Sequence, residues 1–262
     1  MGATTETLSE DLTRIGVTGG DTVLLHSSLS SIGRVDGGAQ AVVAAFRRVL
    51  GDEGTLVTPA FSATVTDPCR SAELGAVDPS VTAARDAVPL FSASSTPTET
   101  GAIPTAVLAD DDRRRSTHPQ ASVAAIGRHA GFICGAQPLS FALGRDSPFS
   151  RLIDLDATIV LVGVGHNRSS MLHHVESLLG PGVRRHWVRR FPHLVDGERV
   201  WVEAMDVGAD NSTHFPAVGA AFASASTSHR RGRIGDATTE VFSSRDYVDF
   251  ARTELGRRLS RV

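Results

Sequence analysis

The chain contains no lysine: all 26 of its basic side chains are arginine. That excludes a lysine nucleophile and Schiff-base chemistry, and otherwise reflects the codon usage of a G+C-rich coding sequence. Cysteine is nearly as scarce, with only Cys69 and Cys134 in 262 residues. Two cysteines allow one disulfide but no disulfide framework, and neither stands in a CxxC or histidine-spaced zinc pattern. Free thiols in a reducing cytoplasm are the expectation. Long apolar runs are missing too. The longest, Ile159 to Val164, is far too short to span a bilayer. The N-terminal segment carries Glu6, Glu10 and Asp11 where a signal peptide would have an apolar stretch. Excess charge of one sign is lacking: the formal net charge is −3, which argues against a dedicated nucleic-acid binder. The Gly-x-Ser-x-Gly elbow of the α/β-hydrolases and the Gly-x-x-x-x-Gly-Lys phosphate loop are both absent.

What remains is a globular composition. Hydrophobic residues make up 41% and charged residues 21%, enough for a full core. Thr22 to Leu25 reads as a short buried strand. Gly37 and Gly38 open a helix whose Val42, Val43, Phe46, Val49 and Leu50 share one face. Gly51 ends that helix, and Gly54 to Thr58 starts another strand, giving a βαβ unit and a parallel sheet. Ala157 to Val164 is the strongest strand in the chain, and a helix from about Ser170 to Leu179 follows it, stopped by Gly180 and Pro181. Further strands are expected at Ser122 to Ile126 and Arg199 to Met205. Further helices are expected at Ala102 to Leu108, Arg128 to Cys134, Phe215 to Ala223 and Ser244 to Leu259. Residues 62–98, rich in Ser, Thr, Ala, Pro and Asp, read as a long loop with at most one short helix, and loops of that length are commonly functional. The run Asp110 to Arg115 and the cluster Arg184, Arg185, Arg189 and Arg190 are expected to be solvated. No repeat or linker divides residues 1–262, so a single α/β domain is expected.

The segment from Gly163 to Glu176 (GVGHNRSSMLHHVE) leaves the carboxyl end of a buried strand and enters a helix. In open α/β sheets that edge is where ligands bind. His173 and Glu176 are three residues apart and share a helix face. A carboxylate beside an imidazole fixes its tautomer and raises its basicity, which suits a general base near neutral pH. A surface ion pair has the same spacing, and spacing alone does not separate the two. His166, His173, His174 and Glu176 lack a zinc pattern, since adjacent histidines point to different faces of a helix. No metal is expected. The hydroxyl-rich loop His26 to Ser31 should face the same crevice. Arg115, Ser116 and Ser122 offer chemistry suited to phosphate oxygens, although each is also an ordinary polar turn.

Read in order, these segments resemble the aminoglycoside 3-N-acetyltransferase family. The matching stretches are Gly20 to Leu29, Gly37 with Gly38, and Gly54 to Pro59. They continue with Thr96 to Thr98 and Gly101, the Arg-Ser-x-His-Pro string Arg115 to Pro119 with Ser122, and Ser147 to Phe149. Gly163 to Gly165 and the Leu-His-x-x-Glu string Leu172 to Glu176 complete the set, which spans some 220 residues. The resemblance implies one three-layer α/β/α domain with a central, largely parallel sheet, distinct from the GNAT acetyltransferases and elaborated here by the loop at about 62–98. It implies acetyl-CoA as co-substrate and direct transfer to a small-molecule amine, with His173 as base and Glu176 as its partner. It places His26, Ser27, Ser28, Leu29, Ser31, Arg115, Ser116 and Ser170 along CoA, with Ser170 near the thioester. Asp210, and more weakly Asp67, would meet a cationic acceptor. Backbone N–H groups near Gly165 to Ser170, or the Ser170 hydroxyl, would serve the oxyanion. The acceptor expected is the 3-amino group of a 2-deoxystreptamine aminoglycoside, making this an antibiotic-resistance enzyme. A secondary-metabolite amine is the alternative, and a non-catalytic acyl-CoA-binding protein another. The expected setting is the cytoplasm, without nucleic acid or membrane partners, and either a monomer or a homodimer is compatible. Donor-side segments match the family more closely than acceptor-side ones: Thr105 and Asp236 stand where many relatives have other residues.

Overall fold

The computed structural model describes residues 2–69, 79–180, 182–183, 186–208 and 212–260. At its centre β1 (Thr22–Ser27) pairs in parallel with β2 (Thr55–Pro59) on one side and β5 (Thr158–Val162) on the other. Their near-continuous apolar character follows from burial on both faces. Beyond β2 lie β4 (Val123–Gly127) and the two-residue β3 (Arg114–Arg115). Beyond β5 lie β9 (Ala237–Ser243) and β8 (Arg230–Ile234). The order is β3-β4-β2-β1-β5-β9-β8. β4 and β9 run against their neighbours, so the other five strands point one way. The sheet is therefore largely parallel, with its parallel pairings at the centre.

Side chains alternate along the strands into two cores. Val23, Leu25, Leu56, Val160 and Val162 face α1 (Thr5–Arg14), α2 (Gly38–Leu50) and α4 (Ala102–Leu108), which supply Leu8, Leu12, Phe46, Ile103 and Val107. Leu24, Val57, Ile159 and Leu161 face the opposite layer. That layer contains α5 (Ala130–Ile133), α6 (Pro148–Asp154), α7 (Ser170–Leu178), α8 (Phe215–Ala225) and α9 (Ser244–Leu259). Each fully buried Leu, Ile, Val or Phe contributes about 1.5–3 kcal/mol of transfer free energy. The result is the expected three-layer α/β/α arrangement. Among the described residues no helix is long and apolar enough to cross a membrane.

Several elements go beyond the sequence expectation, α6 and β3 among them. α1 starts at a capping box in which Thr4 and Thr7 exchange side-chain and backbone hydrogen bonds. β8 and β9 form an antiparallel hairpin at the sheet edge. β6 (His186–Val195) pairs with β7 (Glu198–Val207) in a separate two-stranded ribbon, so Arg189 and Arg190 belong to a strand; Arg184 and Arg185 lie outside the described residues. In the 62–98 stretch, one short helix, α3 (Pro79–Asp86), is present, and residues 70–78 lie outside the described residues. This stretch is fastened to the ribbon. Asp67 pairs with Arg85 at 2.8 Å, Arg85 lies over the Trp201 ring, and Arg199 donates to the carbonyls of Arg85 and Val88.

The Arg-Ser-x-His-Pro string is part of the scaffold. Arg115 turns inward from the charged run. Its guanidinium donates to Ser122 Oγ at 3.0 Å, Ala60 O at 2.8 Å, Ser62 Oγ at 2.9 Å and Thr96 O. It also lies over the Phe91 ring. Burial pulls it down to about 10. Ser116 Oγ donates to Gln137 Oε1 and accepts from Val123 N. His118 Nδ1 accepts from the N–H groups of Gln120 and Ala121, leaving Nε2–H to donate to Leu139 O. Arg115→Ala would leave several buried acceptors unsatisfied, so we expect a loss of about 3 kcal/mol. Urea titration checks this; an unchanged midpoint would remove Arg115 from the scaffold.

Candidate active site

The carboxyl ends of β1, β2 and β5 open into a cleft of about 1010 Å³. The end of β1 and the loop after it contribute His26 to Ser30, the start of α4 contributes Gly101 to Pro104, and the exit from β5 contributes Gly163 to Gly165 and Asn167 to Ser170. α7 adds His173, and the β6–β7 ribbon adds Arg189 and Asp206 as the facing wall. The turn out of β5 requires glycine. Gly163 has φ +64°, and a Cβ there would stand 2.3 Å from Ser31 Cβ. Ser31 Oγ bonds to Ser28 Oγ at 3.0 Å and donates to Gly163 O at 3.3 Å, tying the two cleft loops together.

A second tie is stronger in its consequences. The first N–H of α7, on Ser170, donates to His26 Nε2 at 3.0 Å. An imidazole nitrogen that accepts carries no proton, so the proton of His26 sits on Nδ1, which has no hydrogen-bond partner among the described residues. Burial drives His26 down to about 3, keeping it neutral at any working pH. One turn further along α7, His173 Nδ1 lies 3.1 Å from Glu176 Oε2. The carboxyl group of Glu176 is fully buried, and His173 keeps about a fifth of its side chain exposed. A carboxylate only accepts, so Nδ1–H donates and Nε2 carries the lone pair. Phe215 stands edge-on to the His173 ring at 4.8 Å. His174 points the other way and donates from Nδ1 to Leu143 O at 2.6 Å, inside the core.

Of the residues expected at the site, His26, Ser27, Ser28, Leu29, Ser170 and His173 line the cleft. Glu176 supports His173 from beneath, and Ser31 stands behind the loop. Arg115, Ser116 and Asp67 are not in the lining: their polar groups are committed to the internal partners given above. Asp210 lies outside the described residues. The expectation of backbone oxyanion donors narrows, because Arg168 N, Ser169 N and Ser170 N are bonded to Gly165 O, His166 O and His26 Nε2. Sequence reading missed Glu99, Arg168, Arg189 and Asp206 as lining groups. Glu99 directly follows the Thr-Pro-Thr string, and its Oε2 accepts from Ala63 N at 2.7 Å. Arg189 is paired with Asp206 across the ribbon. Burial pushes the Cys134 thiol up to about 12, far from a usable thiolate. Among the described residues no group of three or more His, Cys, Asp or Glu is placed to hold a metal ion.

The cleft thus sets a histidine held by a buried carboxylate at the carboxyl edge of a three-layer α/β/α sheet. The chain belongs to the aminoglycoside 3-N-acetyltransferase family, whose model matches residues 24–255, and it is an acyltransferase of that class. It is 34% identical over 250 residues to the SPbeta prophage-derived aminoglycoside N(3')-acetyltransferase-like protein YokD of Bacillus subtilis, covering 95% of this chain and 90% of that one. It is 32% identical to aminoglycoside N(3)-acetyltransferase VII of Streptomyces paromomycinus, covering 97% and 92%. The crystal structure of YokD superposes with a TM-score of 0.91, covering 100% of this chain and 96% of that one. AAC-IIIb, solved as a binary complex with CoASH, superposes with a TM-score of 0.88 at 25% identity, covering 98% of each.

His26, His118 and His174 are all held neutral, chiefly by burial, with His26 near 3 and His118 near 4. Below the ordinary value of 6.5 the unfolded chain takes up protons at these positions and the folded chain does not. Stability therefore falls as pH drops through 6.5 toward 4, with a slope of up to about 1.4 kcal/mol per pH unit for each histidine. Thermal melts between neutral and acid pH check this, and a melting temperature constant down to pH near 4 would contradict it.

Proposed function

We propose that this chain is an acetyl-CoA-dependent N-acetyltransferase acting on the 3-amino group of a 2-deoxystreptamine aminoglycoside by direct transfer. The observation that carries the reading is the orientation of His173: Nδ1–H is held by Glu176, leaving the Nε2 lone pair as the base, on a side chain that lines the cleft. An amine protonated at neutral pH cannot attack. His173 Nε2 removes its proton, the free amine adds to the thioester carbonyl, and the new C–N bond forms as the C–S bond breaks. His173 passes that proton to water and takes a second one from the nitrogen of the adduct, which the departing thiolate of CoA then accepts, leaving a neutral amide and the CoA thiol. The Ser170 hydroxyl is the donor we assign to the oxyanion. A thiol near 12 at Cys134 supports direct transfer over an acyl-enzyme.

The cleft residues fit the co-substrate. Ser27, Ser28 and Ser30 with Arg168 supply hydroxyls and a guanidinium for phosphate oxygens, and Leu29, Ile103 and Pro104 give an apolar run beside them. The CoASH bound to AAC-IIIb supports the same donor. YokD and the Streptomyces enzyme carry aminoglycoside N-acetyltransferase names, which supports the acceptor class. The acceptor carboxylate we assign is Asp210, because Asp67 is spent on Arg85. One observation favours a second reading, a less cationic amine of secondary metabolism: the ribbon carboxylate at the cleft, Asp206, is already neutralised by Arg189.

Turnover of acetyl-CoA with kanamycin, gentamicin, apramycin and simple amines, read by thiol release, separates the readings. Aminoglycoside turnover is expected; turnover of simple amines alone would replace the acceptor, and no turnover with any amine would refute the transferase. His173→Ala should lower kcat by about 10²–10⁴ while Kd for CoA barely moves. Near wild-type kcat in that variant at neutral pH would remove His173 from the mechanism. Asp210→Asn should raise KM for a cationic acceptor and leave CoA binding unchanged; a wild-type KM would cancel the assignment.

A further inference from the structure

Behind the loop that leaves β5 lies a second set of titratable groups that the transfer reaction does not use. His166 turns away from the cleft. Its Nδ1 lies 2.7 Å from the Tyr247 hydroxyl on α9, and its Nε2 lies 2.9 Å from Glu240 Oε2 on β9. The same carboxylate oxygen meets His229 Nε2 at 3.0 Å. The direction of every proton follows. The two histidine contacts, against the opposing effect of burial, hold Glu240 down at about 2, so it is an ionised acceptor. Both imidazoles therefore donate from Nε2. Burial raises the Tyr247 phenol well above its ordinary value, so it keeps its proton and donates to His166 Nδ1. With a neutral imidazole, each hydrogen bond in the chain Tyr247 to His166 to Glu240 has one direction, and His166 is the Nε2–H tautomer.

The ring is also fixed by shape. It stacks on Phe242 with centroids 5.6 Å apart and 22° between planes. Against it lies Gly219 of α8, where a Cβ would come within 2.0 Å of His166 Cγ. Any other residue at 219 displaces the imidazole. The backbone carries this anchoring to the cleft: Ser169 N donates to His166 O at 3.0 Å, and the next amide, Ser170 N, meets His26. Asn167, Arg168, Ser169 and Ser170 line the cleft while His166 between Gly165 and Asn167 does not. The histidine is set into the interior, with 8% of its side chain exposed.

We propose that His166, Tyr247 and Glu240 are positioning residues for acyl transfer. They hold the 165–170 turn from behind, and with it the Ser170 hydroxyl and the entry to α7 that aims His173. The proposal rests on the reading of this cleft as an acyl-transfer site. It requires that disturbing the anchor slows the chemical step more than it weakens substrate binding.

Four variants of the full chain test it, with kcat, KM for both substrates, Kd for CoA and melting temperature measured on each. Tyr247→Phe removes the donor to His166, and Gly219→Ala displaces the ring without deleting a polar group. Glu240→Ala removes the acceptor, and Glu240→Gln keeps an oxygen where Oε2 stands. Tyr247→Phe, Gly219→Ala and Glu240→Ala should each lower kcat by about 10- to 100-fold, as a misplacement on the ångström scale does, with KM and Kd changed by no more than about threefold. Glu240→Gln should recover most of the rate. Nitrogen-15 spectra of the histidines should show His166 as the Nε2–H form in the parent chain and a tautomer mixture in Tyr247→Phe. Variants that melt lower but keep the parent kcat well below their melting points would make the network structural only and overturn the proposal. A parent chain that acetylates none of the amines overturns the acyl-transfer reading and the proposal together. An active parent with fully active variants overturns the proposal alone.

Discussion

The hydrogen bond from Ser170 N–H to His26 Nε2 joins the end of one central strand to the start of the helix that carries His173. It spans 144 residues of sequence. It exists only because His26 is neutral, since a protonated imidazole has no lone pair to receive an amide. Burial between the sheet and α7 keeps it so. The parallel trio β2-β1-β5 brings the loops to one edge, and this bond fixes how they meet there. With Ser170 held, His173 falls one turn further along α7, over Glu176 and beside Phe215.

The sheet's central strands and the His173–Glu176 pair were legible in the sequence for the same reason. Both rest on local patterns: short apolar runs bounded by glycine, and two side chains three residues apart on a helix. The partner of His26 was not legible, because no local rule connects residue 26 with residue 170. β8 was missed because its sequence, RRGRI, carries almost no apolar signal. β9 was missed because its sequence, ATTEVFS, mixes hydroxyl residues and Glu240 among only three apolar ones. The β6–β7 ribbon did have a signal. Asp196 and Gly197 form the two-residue turn between Val195 and Glu198, both with positive φ, as a type I′ hairpin demands.

Arginine was the least legible residue type. The sequence suggested that Arg115 would meet phosphate, since a guanidinium suits an oxyanion. The fold uses the same guanidinium to gather the carbonyls of Ala60 and Thr96 and the hydroxyls of Ser62 and Ser122. Those groups lie on the segments that lead to Phe61 and Glu99 in the cleft wall. Arg85 and Arg199 play a comparable part in fastening the 62–98 stretch to the ribbon. The charge at the cleft therefore differs from the charge counted along the chain: Asp67 is withdrawn from it, while Arg168, Arg189, Glu99 and Asp206 are added.

The two edges of the sheet bear on how the molecule behaves in a crowd. An open strand edge offers unpaired N–H and C=O groups to any neighbouring chain, and long flat edges invite stacking into aggregates. Here one edge, β3, is only two residues long. The other, β8, carries Arg230, Arg231 and Arg233, with the Ile15 side chain of α1's C-cap packed against Gly232. A second copy approaching β8 edge to edge would bring like charges together and find part of the strand covered. Edge protection that many proteins assign to lysine is carried in this lysine-free chain by arginine.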